Sequence, residues 1–170
     1  MTTGFLCFTE GCADDEKATR WRGLLEGIVM NLCNETITVI NQRYDASEQL
    51  TVYQKAVING ASWYGSLKST VDSSGLKAAN QYTVRIPTDA DFGGKAYINP
   101  IAFYKLTDEA AAVAFTLANG DLIVRGAVTE ADAAITPKLI HDNYAEVLTI
   151  LAVNDNRRTQ HAPHWKVVGA

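Results

Sequence analysis

Cysteine is scarce in this sequence and poorly placed for chemistry. The chain holds three, Cys7, Cys12 and Cys33, all within its first 33 residues. An odd number at irregular spacing is no disulfide framework, and a zinc site would want a fourth ligand and CxxC-like pairs. They read as reduced thiols, with Cys7 and Cys12 placed to pair on oxidation. Long apolar runs are missing too. None approaches the ~20 residues of a membrane-spanning helix, and the first residues lack the charged-then-apolar layout of a signal peptide. An excess of basic charge is also absent. Fifteen Lys and Arg against nineteen Asp and Glu leave a net charge of −4, and no basic patch marks a nucleic-acid binder. These absences predict a protein kept in the cytoplasm, or carried out of a cell only as part of a larger particle, with no membrane partner.

The signatures of catalysis are equally thin. His141, His161 and His164 suggest a metal at first sight. The spacing His161-x-x-His164 is too short for the one-turn pair of a helical zinc motif, and it flanks Pro163. Gly93-Gly94 is not followed by the Lys-Ser or Lys-Thr of a phosphate loop. Asp89 and Asp91 lack the ligand count of a calcium loop. No GxSxG and no active-site cysteine context is present. The expectation is no enzyme, no metal and no cofactor. One compact basic spot stands out, Arg157-Arg158, beside Asp155. It reads either as a solvated turn or as a clamp on a partner's carboxylate or phosphate, for which the arginine fork is suited.

What is present is β-sheet pattern. At 170 residues with 47% hydrophobic and 20% charged content, the chain fits one soluble domain, with or without an appendage. Glu35-Thr-Ile-Thr-Val-Ile-Asn41 is β-branched, with Ile37 and Val39 on one face. Further strands are expected from Leu50 to Ile58, from Ala61 to Val71, and at Gln81-Tyr-Thr-Val-Arg-Ile-Pro87, where proline stops the ladder. Asn59-Gly60 signals a type I′ hairpin, and so does Asn119-Gly120 within Phe115-Thr-Leu-Ala-Asn-Gly-Asp-Leu-Ile-Val-Arg-Gly126. Leu122-Ile123-Val124 is apolar on both faces, so this strand should be covered on both sides. The tryptophan of the third strand, Trp63, reads as core or as a binding aromatic.

Residues 88–95 are polar and glycine-bearing and should form an exposed loop. Short helices are expected from Pro100, over residues 108–113, and from Thr136-Pro137 to Asn143. Residues 127–139 form a long connection. Strands over residues 146–153 and 164–168 make a closing hairpin. The fold class is mainly β, a small barrel or sandwich with long loops and one or two short helices over residues 34–170. Residues 1–33 form an N-terminal helical appendage. Its helix from Asp14 carries an apolar stripe at Trp21, Leu24, Leu25, Ile28 and Val29. That segment reads equally as a helix packed on its own domain, as an arm for a neighbouring subunit, or as a non-native extension before a start at Met30.

The order of these signals resembles a known family. Thr36-Ile-Thr-Val-Ile-Asn41, then Tyr53-Gln-Lys-Ala-Val-Ile-Asn-Gly-Ala-Ser-Trp63, Tyr82-Thr-Val-Arg-Ile-Pro87, Asn119-Gly-Asp-Leu-Ile-Val-Arg-Gly126 and His164-Trp-Lys-Val-Val-Gly169 together resemble small, mostly uncharacterised proteins of the virion-structure modules of tailed phages and prophages of Gram-positive bacteria. The likeness runs from about Asn34 to Gly169. More loosely, Gly120-Asp121-Leu122-Ile123 and residues 150–165 are similar to the head-closure, or stopper, proteins of long-tailed phages, which are small β-barrels. That resemblance implies a non-enzymatic ring subunit at the head–tail connector, present in the host cytoplasm during assembly and then in the virion. Its partners would be copies of itself in a homo-oligomeric ring and other neck or tail proteins. DNA would pass nearby without sequence-specific binding, and a modestly acidic subunit suits such a conduit. The candidate interface residues are Asp155, Arg157 and Arg158. The rival expectations are a tail or baseplate component, and a ligand- or carbohydrate-binding β module using Trp63 or Trp165.

Overall fold

Strands β1 (Glu35–Asp45) and β2 (Leu50–Ser66) lay down the frame. The β-branched run in β1 favours the pleated backbone, and its alternation puts Ile37 and Val39, both fully buried, on the inner face. The computed structural model describes residues 33–45, 49–66, 69–73, 75–78 and 80–170. The helix expected over residues 14–29, with Cys7 and Cys12, lies outside the described residues. Among the described residues no helix is long and apolar enough to cross a membrane.

The remaining strands are β3 (Ser69–Asp72), β4 (Gly75–Ala78), β5 (Gln81–Pro87), β6 (Ala96–Tyr97), β7 (Ala114–Phe115), β8 (Leu122–Arg125), β9 (Val147–Asp155) and β10 (His164–Gly169). Six of them close a barrel in the order β1-β2-β5-β10-β9-β8, and every pairing in it is antiparallel. Of the two expected fold forms, barrel and sandwich, the chain adopts the barrel. Its interior holds Ile37, Val39, Ile58, Ile86, Ile123 and Leu148, among others. Full burial of each such side chain contributes roughly 1.5–3 kcal/mol.

A second apolar cluster covers the outside of β1 and β8. Val128, Ile135 and Ile140 pack there on Ile40, Leu122 and Val124. This is why β8 is apolar on both faces. The long connection after β8 folds back as a cover, through a 3-10 turn (Asp132–Ala134) and helix α3 (Pro137–Asn143). Helix α3 begins where Thr136 caps it, its hydroxyl accepting from the Leu139 N–H at 3.2 Å, with proline in the first turn. Two shorter helices, α1 (Pro100–Phe103) and α2 (Asp108–Ala112), precede β7.

Three local expectations are corrected. Phe115 and Leu122 are not partners in a hairpin. Strand β7 pairs in parallel with β6, while β8 pairs with β1 and β9. Only Gly120 of the Asn119-Gly120 pair has positive φ, +94°, so the turn is not type I′, which needs positive φ at both positions. The Asp121 side chain selects this outcome by pinning the turn to β1, as set out below. Asn59-Gly60 is not a hairpin turn either. Strand β2 runs straight through it, and the register against β1 slips there, between Glu35 and Thr36. Gly60, at φ +91°, is the glycine of a bulge that lets β2 leave β1 and join β5. Finally, the 88–95 loop is not simply exposed. Phe92 tucks under it, 5.2 Å from Phe115 and 6.2 Å from Trp165 between ring centres.

Candidate functional site

The turn between β9 and β10 carries the three residues singled out from the sequence. Asp155 accepts three bonds from Arg157: from its backbone N–H at 3.1 Å, from Nε at 2.9 Å and from Nη2 at 2.6 Å. These arginine contacts hold the Asp155 carboxyl down at about 2. The guanidinium lies 5.1 Å from the Tyr97 ring centre and 5.0 Å from that of Trp165, a cation–π placement. The Arg157 fork is therefore engaged within its own turn and stiffens it. Arg158 makes no hydrogen bond or ion pair among the described residues and is the cation the turn presents to solvent. His164 is held by Asn156 and by the Ala162 carbonyl oxygen. No group of three potential metal ligands occurs among the described residues.

Trp63 and Trp165 do not form an exposed platform. Trp165 is buried, with Tyr97 at 4.6 Å between ring centres. Trp63 is half-buried against Tyr82 at 5.5 Å.

A polar site that sequence reasoning missed lies at the end of the β1–β2 pair. The inward face of β1 continues from Ile37 and Val39 to Asn41 and Arg43, so the barrel interior turns polar there. Asn41 Nδ2 donates to Asp121 Oδ2 and to the Thr116 carbonyl, both at 2.8 Å, while its Oδ1 accepts the Thr116 N–H at 3.1 Å. Asp121 also accepts the N–H groups of Ala118 at 3.0 Å and Gln42 at 3.2 Å. This carboxylate is 1% exposed. Burial pushes it up to about 6, and its donors keep it from rising further.

Next to it, Arg43 Nη1 donates to the Leu106 carbonyl oxygen at 2.7 Å and Nη2 pairs with Asp108. The two side chains differ sharply, 9% exposed for Arg43 and 71% for Asp108, and Arg43 Nε is buried without a partner. Gln42, Arg43, Tyr44, Thr51 and Tyr104 line an open cleft of about 440 Å³. Tyr44 and Tyr104 are exposed there. The sequence signal that could have found this site was the polar pair, Asn41 and Arg43, in phase with the buried positions of β1.

The opposite end of β2 runs into a ribbon. Ser66 pairs with Gln81 in the β2–β5 ladder, and Ser69 pairs with Ala78 in the β3–β4 ladder. Position numbers sum to the same value in both, so the two ladders share one register. Among the described residues, strands β3 and β4 pair only with each other. From Ser69 to Asp72 the ribbon is about 10 Å long, at about 3.3 Å per residue. Val71 near its tip is 78% exposed.

Residues 32–170 match the model of a family of unknown function (DUF6751). No curated protein and no solved structure matches the chain.

Proposed function

The chain belongs to the DUF6751 family, whose function is unknown, and from its own surfaces we propose that it is a non-enzymatic structural subunit of a tailed-phage particle, of the head-closure type at the head–tail connector. The observation that carries this reading is the free ribbon. A closed barrel has no edge strands to offer a partner, yet this one sends out a two-stranded extension whose outer edges are unpaired among the described residues and whose tip exposes a valine. Such an element suits a ring subunit. The connections over residues 88–95 and 127–139 pack on the barrel through Phe92, Val128 and Ile135, so the contacts fall to the ribbon, the β1–β2 end and the Arg158 turn. Buried Trp165 and half-buried Trp63 speak against the carbohydrate-binding alternative. The net charge of −4 suits a wall along which DNA passes without being held. The expected partners are other copies of the chain and other neck proteins, in the host cytoplasm during assembly and then in the virion.

The test is deletion of the gene from a phage that carries it, with microscopy of the products. Filled heads without tails, or heads that leak DNA, are expected. Complete heads with defective tails would move the protein to the tail or baseplate. Normal infectious particles would refute a structural role.

A further inference from the structure

We propose that the ribbon of one copy docks into the Arg43 cleft of the next, so that the protein associates head to tail. This rests on the assembly reading above and names the surfaces that meet. The two surfaces lie at opposite ends of one strand. Leu50 and Thr51 begin β2 at the cleft, and Ser66 ends it at the ribbon. A copy therefore cannot easily fill its own cleft, and a contact between different surfaces of two copies repeats. It gives a closed ring when the rotation between copies closes.

The chemistry of the two surfaces is complementary. The cleft has an aromatic rim, with Tyr44 at 65% and Tyr104 at 47% exposed. At its base sits a buried arginine whose carboxylate partner among the described residues, Asp108, is itself mostly in water. An incoming carboxylate can take the place of Asp108, because Asp108 is 71% exposed and returns to water while Arg43 keeps a carboxylate partner. The ribbon tip carries the matching pair. Val71 is the most exposed large apolar side chain among the described residues. Asp72 follows it and is the only acidic residue between Glu48 and Asp89. A cleft of about 440 Å³ falls within the usual range of binding pockets and has room for the tip of a hairpin. Tyrosine and arginine are also residue types enriched in interface hot spots.

The experiment uses two full-length variants followed by sedimentation velocity. One loses the ribbon tip, Val71→Ser with Asp72→Lys. The other spoils the cleft rim, Tyr44→Asp with Tyr104→Asp, at positions exposed enough to leave the barrel intact. Wild type is expected to associate as concentration rises, and each variant alone to associate at least about tenfold more weakly, the change that 1.4 kcal/mol produces. The decisive sample is the mixture. The ribbon variant keeps its cleft and the cleft variant keeps its ribbon, so together they should form one-to-one dimers that grow no further. A variant that had merely failed to fold could not complete its partner in this way. Three results would overturn the proposal: variants that associate like wild type, a mixture that stays monomeric, or a wild type that never associates at any soluble concentration. The first would leave the assembly reading intact with its contacts elsewhere. That reading is judged separately by the particles that the gene deletion produces.

Discussion

Raising the pH from about 4 to about 6 should weaken this protein, and one residue should account for the loss. Asp121 is buried, and its carboxyl titrates at about 6 in the fold against 3.8 for a free side chain. The folded state therefore holds its proton to higher pH than the unfolded state does. Where the folded state binds more protons, stability falls as pH rises. The full difference is about 3 kcal/mol, from roughly two pH units at 1.36 kcal/mol each. It is completely present below about pH 4 and gone above about pH 6. Asp155, held down by Arg157, and Glu35, held down by Arg125, act in the opposite direction. Their contributions are present above the ordinary carboxylate range and are lost as pH falls through their lowered values. Stability should thus peak near pH 4–5. The assay is urea unfolding at several values from pH 4.5 to 7.5, on wild type and on Asp121→Asn. The variant cannot titrate, so its slope over this range should be nearly flat, and the wild-type slope minus the variant slope isolates Asp121. The variant's absolute stability also carries the cost of turning an amide N–H toward the donors on Asn41, Ala118 or Gln42. The slope is therefore the readout. Parallel slopes in the two proteins, or a wild type that gains stability through this window, would refute the reasoning.

Gly169→Ala should be among the most damaging single changes. A Cβ there would stand 2.3 Å from the Thr149 carbonyl oxygen and 2.5 Å from Leu148 Cδ1, and overpacking of this kind costs about 1–3 kcal/mol or more, readable as a fall in urea midpoint. Gly120→Val should lose about 1–3 kcal/mol, because its φ of +94° disfavours a β-branched residue, whereas Asn119→Val should be tolerated, since φ is positive at Gly120 alone. Equal losses at both positions, by thermal melting, would restore the type I′ turn. Arg157→Ala should lower stability by about 1 kcal/mol through its exposed ion pair and ring contacts. Arg158→Ala should leave the melting temperature unchanged and lower incorporation into particles in a complementation assay.

Much of the barrel was legible because its strands are β-branched and in phase. Strand β1, the β9–β10 hairpin and the helix from Pro137 to Asn143 follow from local pattern alone. The two Asn-Gly pairs misled for a shared reason. Each contains a glycine that takes positive φ, but what is built around it depends on partners distant in sequence. At Gly120 the decision belongs to Asp121, which reaches Asn41 and Gln42 on another strand. At Gly60 it belongs to the closure of the barrel, which requires β2 to change neighbours. The cleft was invisible for a similar reason. Arg43 and Tyr104 are about sixty positions apart, and a solvated arginine at a strand end has the same local sequence as a buried one. At the Arg157-Arg158 turn the sequence marked the place, but could not show that one arginine is engaged by its neighbour and the other is not.

Strand β10 lies between β5 and β9 in the closed order, and this has a consequence for biosynthesis. While the chain is being made, β1, β2, β5, β8 and β9 can all emerge and still leave a gap in the wall, because the strand that fills it spans residues 164–169. Until then β5 and β9 each present an open edge, and the apolar interior faces water along that seam. Closure joins positions 82–87 to positions 164–169, a long loop to close before any contact rewards it, which slows folding. A nascent chain halted shortly before residue 164 would be the form most prone to pair with its neighbours on the same polysome. A ribosome-arrest series read by limited proteolysis should therefore show protection arriving abruptly once β10 has emerged, and not strand by strand.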